Sequence, residues 1–171
     1  MNPKETINKS SLCPASFPRR VMWHIMLGFT LYWVGNILVI FPWLFSKTLG
    51  IITMFLSTFL WGYIVYYCLK HAPKKDWNKD TISMALSFLI TAVIQDYFLY
   101  VIYRGIPDEL YELTTFLAYG LVFLMPFIVR YVFFRKYNVQ AIKEISNKKL
   151  IVTFTIGLIS LFLTLWSVKF W

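Results

Sequence analysis

Charge is what this chain has least of. Only 15% of its 171 residues are Asp, Glu, Lys or Arg, against about 25% in soluble domains. Cysteine is scarce too: Cys13 and Cys68 stand alone and cannot define a disulfide framework. Neither has the neighbouring ligands that a zinc site needs, so both are expected to be inert thiols and no metal is expected. The two histidines, His24 and His71, fall near the ends of apolar runs, and nothing pairs them as axial haem ligands. No phosphate-binding loop, nucleophile–base pair or metalloprotease spacing occurs. No catalytic residue and no cofactor are therefore expected. The basic stretches lack the interleaved aromatics of a nucleic-acid surface, and no nucleic-acid partner is expected. The strict alternation of a strand is missing as well.

What the chain has instead is apolar length: 58% of its residues are hydrophobic and 20% aromatic. Five apolar runs cover residues 21–43, 48–69, 81–103, 112–134 and 150–169. Each is about as long as a bilayer-spanning helix must be. Backbone in lipid has to satisfy its own hydrogen bonds, so the runs are expected to be helices. The fold class expected is all-α: one five-helix transmembrane domain over residues 21–171, preceded by a polar arm over residues 1–20. Pro3, Pro14 and Pro18 are expected to keep that arm from forming a helix. The first apolar run starts late and is too long for a signal-peptide core, so no cleavable signal is expected.

The basic residues are unevenly divided. The arm, the loop after the second run and the loop after the fourth, with their flanks, hold 14 of the 17 lysines and arginines; Lys47, Arg104 and Lys169 are the other 3. The positive-inside rule then puts the N-terminus in the cytoplasm and the C-terminus outside. That result requires an odd number of spans, so the charge count and the span count support each other. Tryptophans and tyrosines mark both interfaces: Trp23, Tyr66, Tyr67, Tyr131 and Tyr137 at the inner edge, Trp43, Tyr100, Tyr103, Tyr111 and Trp171 at the outer. The basic segment 135–148 reads equally as a short helix on the inner surface or as a solvated linker. The outer acids Asp108, Glu109 and Glu112 flank Pro107 and read as a solvated turn.

One residue conflicts with this composition. Asp96, preceded by Gln95, lies well inside the third run. An ionised Asp near the middle of a spanning helix costs roughly 2.5–3.5 kcal/mol on insertion scales, so neighbours must offset it. Asn36 lies fifteen residues beyond Val21, and Asp96 fifteen beyond Thr81; the two should sit at one depth. Ser57, Thr58, Thr115, Tyr119, Thr164 and Trp166 come to similar levels. Asn36, Tyr119 and water are the expected donors to Asp96. Arg104 is about 12 Å further along the same helix and turned away from it. Asp96, Asn36, Gln95 and Tyr119 form the candidate binding site, and a purely structural carboxyl is the competing reading.

Small and polar residues also line two faces. Ser83, Ser87, Thr91 and Gln95 recur every four residues, as do His24, Gly28, Tyr32 and Asn36, with Gly35 beside them. Such faces allow close helix approach, and the first and third helices are expected to pack through them. A water-lined path is the alternative. Pro126 is expected to kink the fourth helix.

The series Asp96, Ile106-Pro107 and Thr115-Phe116-Leu117-Ala118-Tyr119-Gly120 resembles the second half of small four- to five-span bacterial membrane proteins that share no assigned activity. The likeness covers about thirty residues and implies a bacterial plasma membrane location. The long arm and the fifth helix depart from it. The expectation is a non-enzymatic protein that binds or moves a small polar or cationic solute at Asp96, with proton coupling as one mode. The alternative is an accessory or assembly subunit of a larger complex. Expected partners are the bilayer itself and either further copies of the chain or other membrane subunits.

Overall fold

The structure, a computed structural model, describes residues 16–73, 76–134 and 145–169, with the His71 side chain excepted. Most of the N-terminal arm, with Cys13, and most of the segment 135–148 lie outside these residues. Five α-helices follow one another: α1 (Phe17–Phe45), α2 (Lys47–His71), α3 (Trp77–Asp96), α4 (Leu113–Phe133) and α5 (Asn147–Val168). α3 runs on as a π-helix over Tyr97–Tyr103, and a 3-10 turn over Pro107–Tyr111 leads into α4. No strand occurs among the described residues. All five helices, α3 being counted with its π extension, are long and apolar enough to cross a membrane.

The first helix begins four residues before the apolar run does. Pro18 was expected to break helix here; instead it occupies the first turn of α1. The missing N–H of proline costs nothing there, and its fixed φ suits helix initiation. The correction brings Arg19 and Arg20 into the helix. A single residue, Ser46 in an extended conformation, joins α1 to α2, so those two lie antiparallel. Ser146 starts α5 as an N-cap, its side chain accepting from the Lys149 N–H at 3.3 Å.

α1 is the central helix and packs on α2, α3 and α5; α4 packs on α2 and α3. The first four helices thus form a ring in the order α1–α2–α4–α3, with α5 outside against α1. Arg19 donates to Asn147 Oδ1 at 2.5 Å and Arg20 reaches Asp76, which gathers the starts of α1, α3 and α5 at one end. The ring is filled by Leu27, Leu31, Val65, Leu69, Met84, Phe88 and Val129. Toward the other end a second cluster joins Tyr32, Trp33, Ala92 and Leu99, flanked by Phe98, Tyr119 and Leu165.

The outside of the bundle is apolar. Only 11% of the most apolar stretch of α2 is buried, and Leu49, Ile52, Phe55, Leu56 and Phe59 are all exposed. In water such a continuous apolar surface would be far larger than monomers tolerate. With lipid as solvent it carries no penalty.

Candidate functional site

The face shared by α1 and α3 carries polar residues from end to end. At the start, Arg20 is buried and bridges two carboxylates: its Nε donates to Asp80 Oδ1 at 2.9 Å and its Nη2 to Asp76 Oδ2 at 2.8 Å. Asp76 and Asp80 stand one turn apart on α3, so one guanidinium fork spans both. One turn on along α1, His24 Nδ1 is in hydrogen-bond contact with Ser83 Oγ at 3.1 Å. At the next turn Gly28 lies against Thr91 and Phe88: a Cβ there would collide with Thr91 Oγ1 and stand 3.1 Å from a Phe88 ring carbon. At the fourth turn the Tyr32 hydroxyl donates to Asp96 Oδ1.

These pairs reveal a drift in register. Arg20 and Asp80 are 60 residues apart in sequence, Tyr32 and Asp96 are 64. The difference is about one helical turn. The expected level pairing of Asn36 with Asp96 is therefore replaced by Tyr32 with Asp96. Asn36 instead turns back on its own helix, its Nδ2 donating to the Tyr32 carbonyl at 3.0 Å.

Asp96 is the last residue of α3 before the π-helix. The residue is 9% exposed; its carboxyl is held by the Tyr32 hydroxyl of α1, and Tyr119 of α4 packs against the same cluster as Tyr32. The rings of Trp33, Phe98 and Tyr100 belong to that cluster too. Trp33 meets Tyr32 edge-on at 4.9 Å and Phe98 at 6.4 Å between ring centroids. The π turn shows in the backbone: the Arg104 N–H reaches five residues back to the Leu99 carbonyl at 3.0 Å. Such widened turns recur at functional sites. The Arg104 guanidinium sits over the Tyr100 ring, 5.7 Å from its centroid.

Gln95 is buried beside Asp96. Its Nε2 donates to the Thr91 carbonyl at 2.8 Å, while Oε1 has no partner among the described residues. The Trp33 indole N–H is likewise buried and without a partner among the described residues. A buried polar atom without a partner costs free energy, so the Asp96 level holds one spare acceptor and one spare donor.

The other members of the expected polar layer do not converge on Asp96. Ser57 and Thr58 both donate to the Met54 carbonyl of their own helix. Thr115 donates to the Glu109 carbonyl at 2.8 Å and Thr164 to the Ser160 carbonyl at 2.9 Å, and the Trp166 side chain is exposed. Of the small residues expected between α1 and α3, Gly28, Ser83 and Thr91 meet across that face. Ser87 is buried and accepts from Thr91 through its carbonyl at 2.7 Å. Gly35 faces the other way, toward Trp61 of α2, with 3.7 Å between its Cβ position and the indole nitrogen.

Tyr32 and the Arg20–Asp76–Asp80 cluster are the residues that sequence reasoning did not place at a site. Tyr32 lies on the traced face of α1, four residues from Gly28, but only the register identifies its partner. Arg20 reads as an ordinary loop cation until α1 is seen to start before it. No group of three or more His, Cys, Asp or Glu able to hold a metal occurs among the described residues.

The fold and the site together define an all-helical protein with a carboxyl buried at the meeting of α1, α3 and α4. No protein-family model matches the chain, and neither a curated protein nor a solved structure matches it.

Proposed function

We propose that the chain is a multi-pass protein of a bacterial plasma membrane that binds or translocates a small polar or cationic solute at Asp96, without enzymatic chemistry. Proton coupling is one mode in which that carboxyl can work. The carrying observation is the Asp96 carboxyl, buried in a bundle of lipid-compatible helices and held by the Tyr32 hydroxyl. A carboxyl that served only to tie helices would need no spare acceptor beside it, and the Gln95 oxygen is spare. Intramembrane carboxyls mark ion, proton and substrate sites. Glu109 and Glu112 lie at the turn between the π-helix that follows Asp96 and α4 and would raise the local concentration of a cation at that end.

In this reading the arm and the basic loops face the cytoplasm and the Pro107 turn faces outside. The site draws on Asp96, Tyr32, Tyr119 and Gln95, with Asn36 supporting the Tyr32 backbone. A second reading is an accessory or assembly subunit. The barely buried α2 favours it, because that helix offers a long apolar face to a second copy or to another membrane subunit.

Asp96→Asn separates the two. It removes the charge and keeps the shape. Under the transport reading, reconstituted vesicles lose solute or proton flux by at least tenfold, while expression and assembly stay at wild-type level. Loss of co-purifying chains with that variant would instead favour the subunit reading.

A further inference from the structure

At the Arg20 end, Phe17 of α1 and residues at the start of α3 line a groove of about 590 Å³, with Asp76, Lys79, Ile82, Ser83 and Leu86 in its wall. It opens on the outer surface of the bundle, away from the ring core. Its lining is split by chemistry along the helix axis. Asp76 and Lys79 are polar and lie toward the helix start; further along, Ile82 and Leu86 are apolar and exposed, with Ser83 beside Ile82. Ile90 continues their line at four-residue steps, also exposed. Side chains so spaced stand one above another on a helix. The groove thus passes from a polar mouth to an apolar track that runs along the spanning direction.

The charge at the mouth follows from pairings already described. The Asp76 carboxylate is taken up by Arg20 at 2.8 Å, and the Ser83 hydroxyl by His24 at 3.1 Å. The Lys79 ammonium remains, on an exposed side chain. A ligand for this groove needs an anionic group beside Lys79 and a long apolar chain to lie along Ile82, Leu86 and Ile90. A phospholipid with a net negative headgroup meets both needs.

We infer that the groove is a binding site for one anionic phospholipid, its phosphate paired with Lys79 and one acyl chain laid along Ile82, Leu86 and Ile90. The inference rests on the membrane reading of the five helices but not on any role for Asp96. The surrounding lysines and arginines attract anionic lipid to this end in general; the groove makes the attraction specific to one position.

The test uses the full-length protein in mild detergent, after equilibration with equal amounts of phosphatidylglycerol and phosphatidylcholine, with bound lipids counted by native mass spectrometry. The expected result is one retained lipid per chain, phosphatidylglycerol over phosphatidylcholine. Lys79→Gln should cut that preference about fivefold, the effect of one basic residue at a membrane surface. Lys79→Arg should keep it. Lys70→Gln, at the same end but outside the groove, should leave it unchanged, and Leu86→Trp, which fills the track, should remove the retained lipid. Equal retention of the two lipids by the wild-type protein overturns the inference, whether or not any variant folds. So does an equal loss of preference in Lys79→Gln and Lys70→Gln, which would mean a diffuse basic surface. A protein stable and monodisperse without any detergent would instead remove the membrane reading beneath it.

Discussion

Arg20 and Asp96 are ionisable side chains of opposite type kept inside the helix bundle by different means. Arg20 is matched by two carboxylates, and removing it would leave both without their cation. Breaking a buried pair in this way costs about 3–5 kcal/mol, whereas replacing the whole set by apolar groups is often neutral. Arg20→Met is therefore expected to lower unfolding stability in mild detergent by that amount, and adding Asp80→Asn should restore part of it. A cycle with no coupling between the two positions would contradict the geometry. Asp96 relies on a hydroxyl instead. Interhelical hydrogen bonds in membranes average about 0.6 kcal/mol and reach about 1.7, so Tyr32→Phe should cost little stability. If Asp96 binds solute, the same variant should weaken solute affinity by more than this stability loss predicts. Parallel measurement of denaturation and binding decides it.

At the scale of helices, the contact of α1 with α3 turns on one glycine. Gly28 lets Thr91 and Phe88 approach the α1 backbone. Thr91 Oγ1 is also fixed by bonds to the Ser87 and Phe88 carbonyls, so it cannot swing aside freely. Gly28→Ala should cost about 1–3 kcal/mol through overpacking, and a second change, Thr91→Ala, should recover most of it. Unchanged thermal stability of Gly28→Ala would show that the seam is looser than its geometry. Much of this level was readable from the sequence. Lipid demands long apolar helices, and the five runs gave all five, with α1 and α3 each starting four residues ahead of the run and α5 three. The two small-residue faces were readable as faces. Their partners were not: one sequence carries no register, and a drift of a single turn exchanged Asn36 for Tyr32 as the residue opposite Asp96. The π-helix was equally invisible, since Tyr97–Tyr103 contains no proline or glycine to signal a changed turn. Arg104, expected on regular α geometry to point well away from Asp96, lies past that widened turn and over Tyr100.

For the whole molecule, the central fact is that its polar groups are spent inward and at one end. Arg20 is neutralised by Asp76 and Asp80, so the asymmetry that would orient the chain rests on the other lysines and arginines around it. Acidic residues weigh little in that rule, and the 14-to-3 division of basic residues keeps its direction when Arg20 is set aside. The helix count links the two ends: five crossings would put the start of α1 and the end of α5 on opposite sides. Arg19 meeting Asn147 accords with α1 and α5 rising from the same side. A phosphatase fused after Trp171 is therefore expected to be active in whole bacterial cells, and a fluorescent protein fused there to stay dark. The reverse pattern would invert the bundle, put the Pro107 turn and its acids in the cytoplasm, and make the cytoplasm the source of any cation drawn toward Asp96.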